Sequence, residues 1–224
     1  MTSPLMHEDC RTTLQRNMLY DYVFTSPPDF EEIGVSPDDE SAYTAFLQSV
    51  FSMCAPTSGI ITVAFTDRKY NSRIVPKSYL LKTLMFSLGY ALISHKILVK
   101  SVAINMFRLN YMNVLSFGQG KPKQWMSKEF KPDVWMDENE KYKGYAYGMP
   151  VGVPRRCILN YTQEGDVVYD PFLGSGTTAV AALQCRRAWL GSEVSAECCQ
   201  LVRERLAEMS VSTLDISSET QRLL

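Results

Sequence analysis

Short apolar runs alternate along the chain with segments in which apolar residues recur at helical spacing. Runs rich in β-branched and aromatic residues predict strands at 20–25, 59–65, 91–99, 111–117, 166–169 and 188–193. Apolar residues spaced three or four apart predict helices at 39–54 and 80–88, a helix that ends near 181, and one at 195–209. Strands that alternate with helices are typical of an α/β fold with a mainly parallel sheet and helices on both faces.

One segment, 118–154, interrupts this alternation. It is rich in glycine, proline, lysine and aromatic residues and has no clear period, which predicts a long functional loop. The last residues, 210–224, are polar, and we expect them to fray. A chain of 224 residues that is 46% hydrophobic predicts a single domain over 1–224.

The overall charge excludes a generally basic protein that coats nucleic acid, because 23 Lys and Arg residues face 24 Asp and Glu residues. Six cysteines without a C-x-x-C pair, and a start unlike a signal peptide, predict reduced thiols in an intracellular compartment. No apolar run approaches the roughly 20 residues that span a bilayer, so we expect no membrane contact. The two histidines lie far apart, and we expect no metal site.

A glycine-rich turn, DPFLGSGTT over 170–178, joins a predicted strand to a predicted helix, where a doubly wound sheet binds a nucleotide-like ligand. The absence of a lysine after Gly176 excludes the phosphate loop of an NTPase. Ala179 occupies the place of the third glycine of a dinucleotide motif, so that interpretation stays open. Glu193 ends the next strand and can accept both hydroxyls of a ribose, which suits NAD, FAD or S-adenosylmethionine equally.

A second motif, TSPPDF over 25–30, ends the first predicted strand. A proline carbonyl and a neighbouring serine or aspartate oxygen, held rigid by consecutive prolines, form two acceptors for the exocyclic NH2 group of a base. Accepting both hydrogens takes the nitrogen lone pair out of conjugation and directs it at an electrophile. Methylation at a pyrimidine ring carbon normally needs a cysteine in a Pro-Cys context, and the chain contains no Pro-Cys dipeptide.

In this order the two motifs resemble those of the DNA amino-methyltransferases, in particular the circularly permuted beta group, in which the catalytic motif precedes the cofactor motif. The resemblance covers nearly the whole chain and includes HEDCR at 7–11, the strand and loop at 59–76, the strand and turn at 111–123, and the segment 153–178. It implies a Rossmann-like, S-adenosylmethionine-dependent methyltransferase fold. The implied activity is methyl transfer to the exocyclic amine of a flipped-out cytosine or adenine in DNA.

The resemblance also implies residue roles. Ser26 and the carbonyl of Pro27 would accept hydrogen bonds from the target amine, and Pro28 would fix the turn. Glu193 would bind the ribose of the cofactor, and Asp9 with Cys10 its adenine. The residues around the methionine part of the cofactor would be Asp170, Pro171, Phe172, Gly174, Ser175, Gly176 and Thr177.

The catalytic motif bears on the choice of base. In this family serine at its first position is more typical of N4-cytosine enzymes, so we predict cytosine and keep N6-adenine as the alternative. The family usually has an aromatic residue directly after the two prolines, which stacks on the flipped base, whereas Asp29 stands here and Phe30 follows. Either Phe30 takes the stacking role through a shifted turn, or the pocket is altered.

An altered pocket keeps a second hypothesis open, a non-catalytic subunit that retains the fold and binds nucleic acid or a catalytic partner. Methylation of RNA or of a protein glutamine also stays open, because a related Asn/Ser-Pro-Pro-Tyr arrangement serves those reactions. The sequence does not decide whether the chain belongs to a restriction-modification system.

Two local patches have the composition of a surface that faces nucleic acid. Residues 118–156 carry eight Lys and Arg residues against five acidic ones, which gives +3, with aromatic residues interleaved. From this patch and a second one after the strand at 59–65 we predict DNA contacts by Arg68, Lys69, Arg73, Lys121, Lys123, Trp125, Arg155 and Arg156. The segment 118–154 is short for a target-recognition region, so we expect a short recognition sequence, a homodimer or a partner protein that supplies specificity.

Overall fold

The centre of the protein is an eight-stranded sheet. The computed structural model describes residues 4–100, 109–122, 127–136 and 149–222, and it describes side chains only as far as residue 209. Its strands are β1 (Leu5–His7), β2 (Tyr22–Thr25), β3 (Ile60–Phe65), β6 (Ala91–Val99), β7 (Tyr111–Gly118), β8 (Val134–Trp135), β9 (Val167–Asp170) and β10 (Ala188–Glu193). A hairpin of β4 (Arg68–Tyr70) and β5 (Arg73–Val75) follows β3. The helices are α1 (Cys10–Leu14), α2 (Glu40–Phe51), α3 (Lys77–Ser87), α4 (Gly152–Tyr161), α5 (Thr177–Gln184) and α6 (Ala196–Arg222).

The strand order is β1-β10-β9-β2-β3-β7-β6-β8. Strand β7 runs antiparallel to both of its neighbours, β3 and β6, and the other neighbouring strands pair in parallel. The predicted α/β fold with a mainly parallel sheet is therefore confirmed.

Side chains alternate between two cores along the central strands. Val23 and Ile61 face a core that α1, α2 and α3 complete, whereas Tyr22, Phe24 and Ile60 face a core that α4, α5 and α6 complete. Successive side chains of a strand point to opposite faces, so strands buried on both sides consist almost wholly of apolar residues. Helices therefore cover both faces of the sheet, as predicted.

Helix α3 begins with a cap from a distant residue. Pro76 stands at the N-cap position and has no side-chain acceptor to offer the first turn. The buried carboxylate of Asp67, just beyond β3, accepts hydrogen bonds from the Ser78 backbone N–H at 2.7 Å and from the Ser78 hydroxyl at 3.0 Å. Asn113 of β7 donates to the same carboxylate at 3.3 Å. Asp67 thus fixes the start of α3 against the end of β3.

The structure departs from the sequence prediction in several elements. Strand β1, helix α1, the β4–β5 hairpin and β8 were not predicted, and β8 and the 3-10 turn Lys128–Phe130 lie within the segment predicted as a loop. Helix α6 extends to Arg222, whereas the sequence pattern predicted that the helix ends near Met209. The reason is that residues 195–222 contain no glycine or proline to break a helix. No helix in the described ranges is both long and apolar enough to cross a membrane.

A candidate active site at the strand ends

Parallel pairing brings the two sequence motifs to one edge of the sheet. Strands β1, β10, β9, β2 and β3 are successive neighbours and run in the same direction, so the segments that follow them emerge side by side. Open α/β sheets bind ligands at this carboxyl edge. The strands end there at His7, Glu193, Asp170, Thr25 and Phe65.

Asp170 links the two motifs directly. Its side chain is buried and accepts a hydrogen bond from the hydroxyl of Thr25 and another from the hydroxyl of Thr178, both at 2.6 Å. The Phe172 backbone N–H donates a third, at 3.0 Å. Burial raises the pKa of Asp170 to about 6, and the hydrogen bonds act in the opposite direction. The carboxylate therefore ties the last residue of β2 to the glycine-rich turn and to the first turn of α5.

Glu193 holds the glycine-rich turn from the neighbouring strand. Its carboxylate accepts from the backbone N–H of Gly174 and from that of Ser195, both at 2.8 Å. Gly174 has φ +54°, and apart from its chain neighbours a side-chain carbon added there would meet no atom of the described residues within 4 Å. The turn therefore opens onto free space beside a carboxylate that keeps lone pairs for a further ligand.

The other side of the turn packs against α6. A side-chain carbon on Gly176, whose φ is +81°, would lie 3.0 Å from a methyl carbon of Val202, so the close approach requires glycine there. The buried Arg205 donates to the Ser175 carbonyl at 3.2 Å and to the Thr177 hydroxyl at 3.1 Å. Helix α6 thus holds the backbone of the turn in place.

The remaining predicted residues of the turn lie in the same unit. Pro171 is buried. The half-buried ring of Phe172 lies 5.8 Å from the ring of Phe46 on α2, measured between centroids. Pro171 and Phe172 both belong to the glycine-rich turn, and their contact with the cofactor stays a prediction.

Asp9 caps α1 at the end of β1. Its carboxylate accepts from the Arg11 backbone N–H at 2.8 Å and from the Arg11 Nε at 2.9 Å, and the Arg11 side chain lowers the pKa of Asp9. The Cys10 side chain points into the core, and burial raises the pKa of its thiol to about 12. Asp9 is therefore the residue of this pair whose side chain lies at the edge of the sheet.

The Ser-Pro-Pro segment leaves the sheet directly after Thr25. Ser26 is half-buried, and within the described ranges its hydroxyl has no hydrogen-bond partner. Pro27 is buried and Pro28 half-buried, and the Tyr43 hydroxyl donates to the Pro28 carbonyl at 3.0 Å. The segment is thus anchored on its far side by α2, while the serine hydroxyl stays available.

The structure corrects the stacking role that the sequence analysis offered to Phe30. The ring has no exposed surface and stacks on the ring of Tyr43 with centroids 4.1 Å apart. This packing leaves neither face for a base, because both are covered by the core between the sheet and α2. The turn after the prolines is therefore not shifted so as to present Phe30 to a base.

Asp29 instead makes a polar cluster beside the Ser-Pro-Pro segment. Its carboxylate lies 3.2 Å from Nζ of the buried Lys77 and 3.6 Å from a terminal nitrogen of Arg68. The other terminal nitrogen of Arg68 pairs with Glu31. The Glu32 carboxylate accepts a hydrogen bond from the Asp29 backbone N–H at 2.5 Å.

Most of the arginines predicted to contact DNA have partners within the chain. Arg68 is paired as described, Arg73 lies 2.6 Å from Asp38, and Arg155 lies 2.7 Å from Glu129. The Arg156 guanidinium lies 5.0 Å from the centre of the Trp135 ring, a cation–π contact. Lys69 is half-buried on β4 and Lys121 is exposed after β7. The two remaining predicted residues, Lys123 and Trp125, lie outside the described residues.

Sequence reasoning missed several residues that build this site. Thr25 and Thr178 hold Asp170, and Arg205 holds the turn. Arg68 was predicted as a DNA contact, but its pairing with Asp29 was not predicted. The available signal for Thr25 was a polar residue at the end of an otherwise apolar strand. In the part of the chain that the structure describes, no three histidine, cysteine, aspartate or glutamate side chains form a metal-binding group.

Comparison with known proteins gives a family match over most of the chain. The sequence profile of the N6/N4 methyltransferase family, described as DNA methylase, matches residues 20–204. That range contains both the Ser-Pro-Pro segment and the glycine-rich turn, together with Glu193.

Curated relatives match a shorter part. The chain is 38% identical over 94 residues to the orphan methyltransferase M.BamHII of Bacillus amyloliquefaciens, which is 38% of this chain and 36% of that protein. It is 35% identical over 82 residues to the type II methyltransferase M.SmaI of Serratia marcescens, which is 36% of this chain and 28% of that protein. The matches thus span about a third of the length of these relatives.

Solved structures share the fold over nearly the full length. The PvuII DNA methyltransferase, which is cytosine-N4-specific, superposes with a TM-score of 0.77 at 17% identity, over 89% of this chain and 84% of that chain. The protein TTHA0409 from Thermus thermophilus, complexed with S-adenosyl-L-methionine, superposes with a TM-score of 0.74 at 21% identity, over 91% of this chain and 94% of that chain.

Proposed function

The chain belongs to the DNA methylase family of N6/N4 methyltransferases, and on that premise we propose that it transfers a methyl group from S-adenosylmethionine to N4 of cytosine in DNA. The observation that carries the proposal is the pair of hydrogen bonds through Asp170. They hold the Ser-Pro-Pro segment, which offers acceptors to an amine, against the glycine-rich turn, which opens onto free space.

The residues at the strand ends fit S-adenosylmethionine. Open space beside Gly174 leaves room for a ligand on the turn, and Glu193 has lone pairs left for ribose hydroxyls. Asp9 stands at the neighbouring edge position, where the adenine would lie next to the ribose. When bound, the cofactor supplies an electrophilic methyl group.

The Ser-Pro-Pro segment prepares the amine. The Ser26 hydroxyl and the Pro27 carbonyl accept its two N–H hydrogens, which localises the nitrogen lone pair and directs it away from the base plane. Consecutive prolines fix the backbone angles, and Tyr43 holds the Pro28 carbonyl, so the two acceptors keep their positions without further ordering. The rate advantage therefore comes from positioning and electrostatics, with no covalent intermediate on the protein.

The cysteines support transfer to an amine rather than to a ring carbon. Transfer to a pyrimidine ring carbon needs a reactive thiolate. Burial raises the pKa of five of the cysteine thiols, namely Cys10, Cys54, Cys157, Cys185 and Cys199. Such thiols are neutral at physiological pH and poor nucleophiles.

Cytosine is favoured over adenine by Ser26, since serine at this position resembles the N4-cytosine enzymes. The structural likeness to a cytosine-N4-specific methyltransferase supports the same choice, although that likeness by itself extends to the fold alone. DNA is accordingly the proposed partner, and we place the activity inside the cell. A homodimer or a specificity partner, which the short segment 118–154 suggests, is part of the same proposal.

Nucleoside mass spectrometry tests activity and base together. DNA from a methylation-deficient host is incubated with the purified protein and isotope-labelled S-adenosylmethionine, then digested to nucleosides. We expect labelled N4-methylcytosine from the wild type and none from Ser26→Ala, while the matched control Ser52→Ala, at the exposed end of α2, keeps full activity. Labelled N6-methyladenine would overturn the choice of cytosine, and equal activity of Ser26→Ala and wild type would overturn the site.

The polar cluster around Asp29 favours one rival, a non-catalytic subunit of the same fold. Titration of the protein with S-adenosylmethionine tests this rival, because a non-catalytic subunit has no need to bind the cofactor. The same digestion applied to RNA and to peptides, in competition with DNA, separates the remaining substrate classes. The proposal requires that DNA takes up most of the label.

A further inference from the structure

A base that leaves the DNA stack needs a flat surface on the protein, because stacking on such a surface offsets the lost contacts with its neighbours. The rings closest in sequence to the catalytic serine do not provide one. Phe30 and Tyr43 stack on each other and are both buried in the core. Among the described residues, we therefore look for the flat group on another segment that runs beside the Ser-Pro-Pro segment.

The chain after β3 is that segment. Strands β2 and β3 pair in parallel with Thr25 opposite Val63, so residues beyond Phe65 continue alongside the Ser-Pro-Pro segment. Arg68 lies on this continuation and reaches Asp29, the residue directly after the prolines. The guanidinium group is planar, and such planes stack on nucleic-acid bases.

The guanidinium of Arg68 is clamped at both ends. One terminal nitrogen lies 3.6 Å from the Asp29 carboxylate and the other pairs with Glu31. Its Nε is buried and has no hydrogen-bond partner among the described residues, so this edge of the group is packed against the protein. The side chain nonetheless keeps 36% of its surface exposed. A planar group held along its edges in this way keeps a fixed orientation.

The charges around Arg68 argue against a simple phosphate contact. Asp29 and Glu31 oppose the charge of Arg68, and the buried Lys77 lies 3.2 Å from the other oxygen of Asp29. The two cations and the two carboxylates cancel, and the nearby Glu32 adds a negative charge. Phosphates are attracted by unbalanced positive charge, which this cluster lacks. What the cluster offers a nucleic acid is its planar surface.

We propose that the plane of Arg68, held by Asp29 and Glu31, stacks on the flipped target base and so takes the part of the aromatic ring that is missing after the prolines. This proposal rests on the proposed function, since it concerns the base whose amine is methylated. It also gives Asp29 a purpose, because a carboxylate at that position is what fixes the guanidinium.

Substitutions that separate the plane from the charge test the proposal. Arg68→Lys keeps the charge and loses the plane, whereas Arg68→Tyr restores a ring and loses the charge. We expect Arg68→Ala and Arg68→Lys to lower kcat/KM for DNA by about 5- to 150-fold, the range of one base-stacking contact, and Arg68→Tyr to keep more activity than Arg68→Lys. The exposed Arg186→Ala serves as a matched control without effect, and the affinity for S-adenosylmethionine stays unchanged throughout.

A binding measurement keeps the test independent of turnover. Because the Nε–H of Arg68 is buried, we expect it to exchange slowly with water, and its NMR signal can be assigned by its loss in Arg68→Lys. We expect cytidine or adenosine at millimolar concentration to shift this signal in the wild type. A shift without any DNA methylation would overturn the proposed function and leave the role of Arg68 intact. Absence of the shift, or activity of Arg68→Lys equal to that of the wild type, would overturn the role of Arg68.

Discussion

Replacement of Thr25 by valine isolates the hydrogen bond that joins the two halves of the site. The change keeps the shape of a buried, β-branched side chain and removes the hydroxyl that donates to Asp170 at 2.6 Å. The carboxylate keeps its bonds from Thr178 and from the Phe172 backbone, so the site loses one of three donors.

The expected cost depends on the charge of Asp170. A hydrogen bond to a charged group contributes about 1.5–3 kcal/mol to stability, against about 1 kcal/mol for a neutral one. Burial raises the pKa of Asp170 to about 6 from an ordinary value of 3.8, and the Thr25 hydroxyl opposes that rise. Because of this raised pKa, the free energy of unfolding above pH 6, where Asp170 is ionised, is roughly 3 kcal/mol lower than at a pH where Asp170 is protonated in both the folded and the unfolded state.

The sign of the pH dependence follows from these values. A carboxyl group whose pKa is raised on folding costs stability as the pH rises through the folded pKa, and Thr25→Val raises that pKa further. We therefore expect Thr25→Val to lower the free energy of unfolding by about 1.5–3 kcal/mol at pH 8. At pH 5, where Asp170 is protonated, we expect a loss of only about 1 kcal/mol.

Urea unfolding followed by tryptophan fluorescence at pH 5, 6, 7 and 8 measures these differences. The control is Thr62→Val, which removes an equally buried hydroxyl that shares a hydrogen bond of 2.9 Å with the neutral Ser116. Its cost is expected to be about 1 kcal/mol at every pH. Equal and pH-independent losses in the two variants would refute the charge-dependent role of Thr25.

Three further predictions concern the same edge of the sheet. Glu193→Gln should weaken binding of S-adenosylmethionine at least tenfold, as measured by calorimetry. The reason is that the amide has a single uncharged acceptor oxygen, which the ribose hydroxyls and the backbone N–H groups of Gly174 and Ser195 must share. Unchanged affinity would contradict the role of Glu193 in binding the ribose. Asp67→Ala should lower the free energy of unfolding by about 1–2 kcal/mol through loss of the α3 cap, whereas Asp38→Ala, which breaks an exposed ion pair, should change it by less than about 0.5 kcal/mol. Gly176→Ala should destabilise the protein by more than about 1 kcal/mol and weaken cofactor binding, because its φ is positive and Val202 is too close; a neutral result would show that the turn can move.

The fold was predictable where a pattern filled a whole element. Strands β6 and β10 have the predicted bounds, and the other long strands differ from prediction by a few residues at their ends. Helices α2 and α3 likewise lie where the apolar spacing placed them. Strand β1 has three residues and α1 has five, too few to display a period. Both depend on β10, which lies near the other end of the sequence.

The site was predictable in its motifs and not in its supporting contacts. The spacing of the glycines and of Glu193 reflects local geometry, and the structure places them together. The direction in which Phe30 points depends on Tyr43, a residue on the next helix, and only the packed core decides it. Thr25 and Asp170 meet across two strands that are distant in sequence, so no local pattern could pair them.

The pairing of β1 with β10 has a consequence for the order in which the protein is made. Strand β1 ends at His7 and its partner begins at Ala188, so residues 8–187 must be synthesised before β1 meets this neighbour. At about 5–20 residues per second, translation of the intervening chain takes roughly ten seconds or more. Throughout that time β1, which leads into Asp9, has no β10 to pair with. A nascent chain therefore lacks this edge of the sheet, in which β1 lies beside β10, until β10 has been synthesised.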